Sequence, residues 1–277
     1  MESADSSRGR YHISALAKGL ACLQAFASKV DGFSLSQISR HLNVNPATAS
    51  RICGTLIDLG FLQRDEQKKY YLTPRVLTLG YSYLSSLPHS PYIQNSLVEL
   101  FGRVGEPVSL GVLVGQDVVY LLRIPKNNLL PFDVRPGASL PAYCTALGKA
   151  ILAFSPQELV DTFLRSASFL PRANKTIRTA EAFLAELNAI RSLGFACNDE
   201  ELYPGSRAVA APVFDRYGCA VAAISLPLPA SRYSLDHIRE VVAPQAVKTA
   251  RDISFLLQTV DDPFHLGVRS SPILRSE

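Results

Sequence analysis

The residues best equipped for chemistry fall into two groups. The first lies between positions 36 and 69. Asn45, Thr48, Ser50, Arg51 and Thr55 follow one another along a predicted helix and place amide, hydroxyl and guanidinium groups on its outward face. Such groups bond phosphate oxygens or base edges, and an arginine can grip guanine through two hydrogen bonds. Arg40, Arg64, Lys68 and Lys69 flank that helix and would carry the phosphate contacts, and Ser36 is a further DNA-binding candidate. A three-helix scaffold that only packs, or binds another protein, is the competing reading.

The second group surrounds the block Leu140–Ala153. Thr145 is placed to cap a helix starting at Ala146. The backbone N–H groups of Ala146, Leu147 and Gly148, together with the helix dipole, would then suit a carboxylate. On the residues alone, a helix start packed on its own sheet is an equal alternative.

Other reactive-looking patterns lead nowhere catalytic. Asp199-Glu200-Glu201 are adjacent, so all three cannot face one site; they read as a solvated acidic edge, or as partners of Arg207. Gly148-Lys149 lacks the first glycine and the hydroxyl residue of a phosphate-binding loop. The five histidines have no metal-ligand spacing, and no serine sits in a G-x-S-x-G elbow. The five cysteines are scattered without a C-x-x-C pair and read as reduced thiols. No metal, cofactor or enzymatic activity is expected. No apolar run is long enough for a membrane span and no signal peptide opens the chain, which points to a cytoplasmic protein.

These groups need elements to position them. Residues 1–10 read as a flexible N-terminus. Ile13, Leu16, Ala17, Leu20, Leu23 and Phe26 then recur at helical spacing. Ser34 with Gln37 forms a capping box for a second helix, and Asn45-Pro46 starts a third that runs to Leu59-Gly60. Phe61–Arg64 and Tyr70–Thr73 read as strands around a polar turn. Three helices and a hairpin over 11–75 make a winged helix-turn-helix. A linker helix and the Pro88-His89-Ser90-Pro91 break occupy 76–91. Beyond it, hairpins at 108–124 and 207–226 alternate with helices at 92–103, 145–154, 156–165, 179–192 and 235–258, an α+β domain on an antiparallel sheet over 92–260. Residues 261–277 form a tail.

Charge divides at the same place. The formal net charge of the 277 residues is +4. The first 90 residues hold ten lysines and arginines against six carboxylates, and the remainder is balanced. A basic segment joined to a neutral one suggests an anionic partner for the first.

The chain resembles the IclR family of bacterial transcriptional regulators. The N-terminal likeness lies in Ser14–Phe26, Leu42–Arg51, Leu56–Leu62 and Leu72-Thr73-Pro74-Arg75. The C-terminal likeness lies in Leu140–Ala153, Asn198–Glu201, Gly205, Arg207–Asp215, Gly218 and Val221–Ser225. The resemblance implies a GAF-like effector-binding C-terminal domain, a dimer or tetramer, and paired winged helices on double-stranded operator DNA, with RNA polymerase as a further partner of an activator. It aligns the effector pocket with Ala146, Leu147, Asn198, Ala208, Ser225 and Pro227, and Thr145 caps the helix that opens it. Asn198 stands where some members have Asp, and Pro227 where some have Ser; both changes favour a larger, flatter ligand. Pro141-Ala142-Tyr143-Cys144-Thr145 and Arg123 look like the branch that senses aromatic acids such as protocatechuate and 4-hydroxybenzoate. On that reading Phe132 and Tyr143 would stack on the ring. Arg123 would pair the carboxylate, with a salt bridge to an acidic side chain as its equal alternative. The expectation is a DNA-binding regulator controlled by a small organic acid. The alternative from another class is a small-molecule enzyme whose first domain only dimerises.

Overall fold

The computed structural model describes residues 12–26, 31–87, 90–126, 134–260 and 263–264. The expected flexible N-terminus, the Pro88-His89 pair, Phe132 and most of the C-terminal tail lie outside these residues. The chain divides into two compact units, Met1–Leu84 and Ser85–Glu277.

The first unit contains α1 (Ser14–Ala25), α2 (Leu35–His41), α3 (Pro46–Asp58), the strands β1 (Leu62–Arg64) and β2 (Tyr70–Leu72), and most of α4 (Val76–Ser86). Local chemistry sets each boundary. The Ser34 N–H donates to Gln37 Oε1 at 2.9 Å, and the Gln37 N–H donates back to Ser34 Oγ, closing the capping box. Asn45 Oδ1 accepts the Thr48 N–H at 2.8 Å, and Pro46 fills the first helical position. Gly60, at φ +76, turns the chain out of α3. Cys22, Phe26, Ile38, Ala49, Cys53, Leu56, Leu62 and Tyr70 form the core. β1 and β2 pair antiparallel with Leu62 opposite Leu72, and Phe33 bridges to Tyr70.

The periodic residues of α1 do not all turn inward. Ile13, Leu16 and Leu20 are 65%, 59% and 53% exposed, and Leu77, Leu79 and Tyr81 of α4 are exposed as well. Only the far end of α1, with Cys22, Ala25 and Phe26, reaches the core.

The second unit begins within α4, so the division falls inside the helix that the sequence reads as linker. It continues with α5 (Ser90–Val104), β3 (Val108–Val114), β4 (Asp117–Ile124), β5 (Ser139–Pro141), a 3-10 turn at Ala142–Cys144, α6 (Ala146–Ala153), α7 (Gln157–Ser166), α8 (Ala180–Leu193), β6 (Ala196–Asp199), β7 (Ser206–Phe214) and β8 (Ala220–Pro229). A turn at Leu235–His237 and a π-helical stretch at Ile238–Val242 lead into α9 (Ala243–Leu257). The six strands run β5-β4-β3-β8-β7-β6, with every neighbouring pair antiparallel. The outermost strands, β5 and β6, were not expected from the sequence. They are three and four residues long, too short to show alternation.

Val209–Val213 is buried at every position, so both faces of the sheet are covered there. α6 packs on one face and α9 with α5 on the other. Every residue of α6 is buried. Gly148 is required at its start: a Cβ there would lie 2.3 Å from the Ala142 carbonyl oxygen and 2.4 Å from its Cα.

Candidate functional site

In the first unit, Ala49, Cys53 and Leu56 define the buried side of α3. Ser50, Arg51 and Thr55 are exposed and Thr48 is half-buried. Helical geometry puts Arg51 nearest the outward centre and divides the others: Ser50 lies on one flank, Thr48 and Thr55 on the other. That second flank borders a groove against Ser14 and Lys18 of α1. Two of the candidate side chains also serve the helix. Asn45 caps it, leaving its Nδ2 as donor, and Thr55 Oγ1 donates to the Arg51 carbonyl at 3.0 Å. Ser36 and Arg40 are exposed on α2. Arg64, Lys68 and Lys69 are exposed on the β1–β2 wing. Arg64 lies over the Tyr70 ring at 5.4 Å, and the Lys69 N–H donates to Asp65 Oδ1 at 2.7 Å, which shapes the wing tip. The outward faces of α2 and α3 and the wing therefore carry the hydroxyls and cations that a phosphate backbone requires.

In the second unit a cavity of about 270 Å³ opens between the sheet and the start of α6. Arg123, Thr145, Ala146, Leu147, Asn198, Ala208, Ser225 and Pro227 all line it. Thr145 Oγ1 accepts the Gly148 N–H at 3.1 Å, so the cap engages that donor and the Ala146 and Leu147 N–H groups remain at the helix end. Arg123 Nη1 donates to Ser109 Oγ at 3.2 Å. Ser109 lies directly opposite Arg123 on one side and Ser225 on the other, so Arg123, Ser109 and Ser225 form a row across β4, β3 and β8.

Two expectations change. Tyr143 does not line the cavity: its hydroxyl donates to the Leu170 carbonyl at 2.6 Å, and its ring meets Phe169 edge-on at 5.4 Å in the core behind α6. Asn198 reaches the cavity wall, but both ends of its amide are engaged. Nδ2 donates to the Cys144 carbonyl at 2.6 Å, and Oδ1 accepts the Glu201 N–H at 3.2 Å. It holds the entry to α6 in place.

The acidic triplet separates into three environments. Asp199 accepts from Arg207 at 2.6 Å and Lys175 at 2.7 Å; partial burial raises its pKa, and these two cations outweigh that and hold it below the usual range. Glu200 accepts the Gly205 N–H and pairs with Lys175, which lowers its pKa. Glu201 is no part of a solvated edge. It is 6% exposed and meets the fully buried ammonium of Lys149 at 2.5 Å. Lys149 also donates to Glu186 and to the Cys197 carbonyl, both at 2.8 Å.

Sequence reasoning missed Tyr120, Cys144 and Tyr203 among the lining residues. Cys144 is buried, which pushes its thiol up to about 11, so it is protonated at neutral pH. Tyr120 escaped notice because strict alternation would put it and Arg123 on opposite faces of β4. A bulge removes that alternation: Ser109 pairs with Arg123 and Leu110 with Leu122, but Gly111 pairs with Tyr120, leaving Leu121 as the extra residue.

Both units match known proteins. The IclR helix-turn-helix domain matches residues 15–66, and the bacterial transcriptional regulator IclR C-terminal domain matches residues 81–255. The Pca regulon regulatory protein of Pseudomonas putida is 31% identical over 242 residues, covering 87% of this chain and 83% of that protein. The p-hydroxybenzoate hydroxylase transcriptional activator of Acinetobacter baylyi is 30% identical over 261 residues, covering 92% and 96%. The crystal structure of the Thermotoga maritima IclR superposes with a TM-score of 0.62 at 27% identity, covering 88% of this chain and all of that one. With a helix-turn-helix and wing in one unit, a cavity-bearing α+β fold in the other, and matches to both, the chain belongs to the IclR family of DNA-binding transcriptional regulators.

Proposed function

We propose that the cavity binds a small organic acid, aromatic in type, and that its occupancy sets the affinity of the winged helix for operator DNA. The observation that carries this reading is the charge of the lining. Arg123 is the one charged side chain among the described lining residues, and the helix start at Ala146-Leu147 adds partial positive charge. An anion is therefore the favoured occupant, with Arg123 as its bidentate partner. The walls are otherwise largely apolar, including Val134, Leu140, Leu202 and Pro227, and a volume near 270 Å³ suits a single ring. The names of two relatives, one of the Pca regulon and one of p-hydroxybenzoate hydroxylase, favour the same ligand class.

Binding without turnover is the accompanying inference. The described lining holds no histidine, lysine, aspartate or glutamate to move a proton, and its one thiol is protonated. Ser36, Arg40, Asn45, Thr48, Ser50, Arg51, Thr55, Arg64, Lys68 and Lys69 are assigned to DNA, with Arg51 as the base reader. The exposed apolar side chains of α1 and α4, with Leu16, Leu20 and Leu79 along one groove, support a homo-oligomer, because exposed apolar surface favours a protein partner. Two winged helices on one duplex would double the phosphate contacts. A thermal-shift screen against aromatic and short aliphatic acids tests the ligand class. A rise in melting temperature with aromatic acids supports it, and a response to pyruvate-like acids alone overturns it.

A further inference from the structure

The Leu121 bulge turns Tyr120 onto the face of the sheet that carries Arg123 and Ser109. The strand is fixed there by two backbone bonds, Tyr120 N to the Ala138 carbonyl at 3.0 Å and Gly137 N to the Tyr120 carbonyl at 2.7 Å. Opposite Tyr120 stands Gly111, where an added Cβ would lie 2.8 Å from Val118 Cγ1 and 3.1 Å from Leu147 Cδ1, so that face is closely packed against the start of α6. Tyr120 is 8% exposed and lines the cavity, yet its hydroxyl makes no hydrogen bond among the described residues. Burial holds the phenol above its usual range, although Arg123 opposes this, so it is a neutral donor at physiological pH.

A carboxylate already has Arg123 and the α6 start. A second donor facing the same small space calls for a second polar group on the ligand. An apolar ring edge placed against Tyr120 would strip its hydroxyl of hydrogen bonds, which is costly, whereas a ring hydroxyl would satisfy it. We propose that Tyr120 is a specificity-determining residue that recognises a hydroxyl group on the effector ring, so that the cavity selects a hydroxylated aromatic acid over the unsubstituted acid. The inference rests on the reading of the cavity as an acid site.

The test is isothermal titration of the full chain with benzoate and with each of the three monohydroxybenzoates, for the wild type and Tyr120→Phe. The expected wild-type result is a preference of about five- to tenfold for at least one hydroxylated isomer over benzoate. In Tyr120→Phe that ratio should fall to near one. If the wild type shows no such preference, if the variant keeps it, or if the variant weakens both acids by the same factor, the inference is overturned while the acid site stands. If the wild type binds none of the four acids, the acid reading fails and takes this inference with it.

Discussion

Lys149 and Glu201 form an ion pair at 2.5 Å in the interior of the second unit, with both side chains buried. Lys149 belongs to α6, whose start faces the cavity, and Glu201 begins the loop that supplies Leu202, Tyr203, Pro204 and Gly205 to the cavity wall. The pair therefore joins two parts of the site. Thr176 Oγ1 donates to the Glu201 carbonyl at 2.6 Å and fixes the same loop from outside.

Lys149→Met should leave Glu201 buried without its cation. Breaking a buried pair from one side costs about 3–5 kcal/mol. Urea denaturation of the variant is expected to show a loss of that size. A change within about 0.5 kcal/mol would mean that the pair contributes nothing to this fold.

Gly148→Ala should be more damaging than its single methyl suggests. The added carbon would overlap the Ala142 backbone, so the turn before α6 must move. Effector affinity and melting temperature should fall together. A variant that binds and melts like the wild type would contradict the packing at this turn.

Acid stability has a defined sign at Asp199. Lys175 and Arg207, against partial burial, hold its folded pKa below the unfolded value. Its contribution is therefore complete at neutral pH, shrinks as the pH falls into the ordinary carboxylate range near ~4, and is gone below the lowered folded value. Asp199→Asn should flatten the acid limb of a stability–pH curve measured by circular dichroism. An unchanged limb would remove Asp199 from the account.

At the DNA face, Arg51→Ala should weaken specific operator binding by about 1–3 kcal/mol and relax the base preference. Lys68→Ala should weaken all sequences alike and lower the salt slope by about one. Competition binding against random duplex at several salt concentrations separates the two. Equal losses on operator and random DNA for Arg51→Ala would reassign it to phosphate.

Much of this was legible in the sequence wherever local chemistry decides structure. The Ser34–Gln37 capping box, the Asn45-Pro46 start and the Gly60 stop each have a mechanism confined to a few residues, and α2 and α3 begin and end accordingly. Both long hairpins show apolar runs broken by the Gly115 and Gly218 turns that join their strands. What escaped was tertiary. β5 and β6 are edge strands defined by their neighbours rather than by their own residues. Glu201 looked like its two acidic neighbours, and only its pairing with Lys149, 52 positions away, makes it a core residue. Tyr120 reaches the cavity side of the sheet through a bulge that no turn residue announces. Tyr143 sits in the block that leads into α6, but its 3-10 turn aims it at Leu170.

On the proposed function, an acid in the cavity and DNA on the winged helix regulate each other. Coupling between two binding sites is reciprocal, so each ligand must change the affinity of the other by one factor. The direct measurement is a calorimetric titration of a cavity-binding aromatic acid into the full-length protein, free and then saturated with operator duplex. The acid affinities in the two states should differ, in the same ratio by which saturating acid changes operator affinity. Identical acid affinity with and without operator would contradict it.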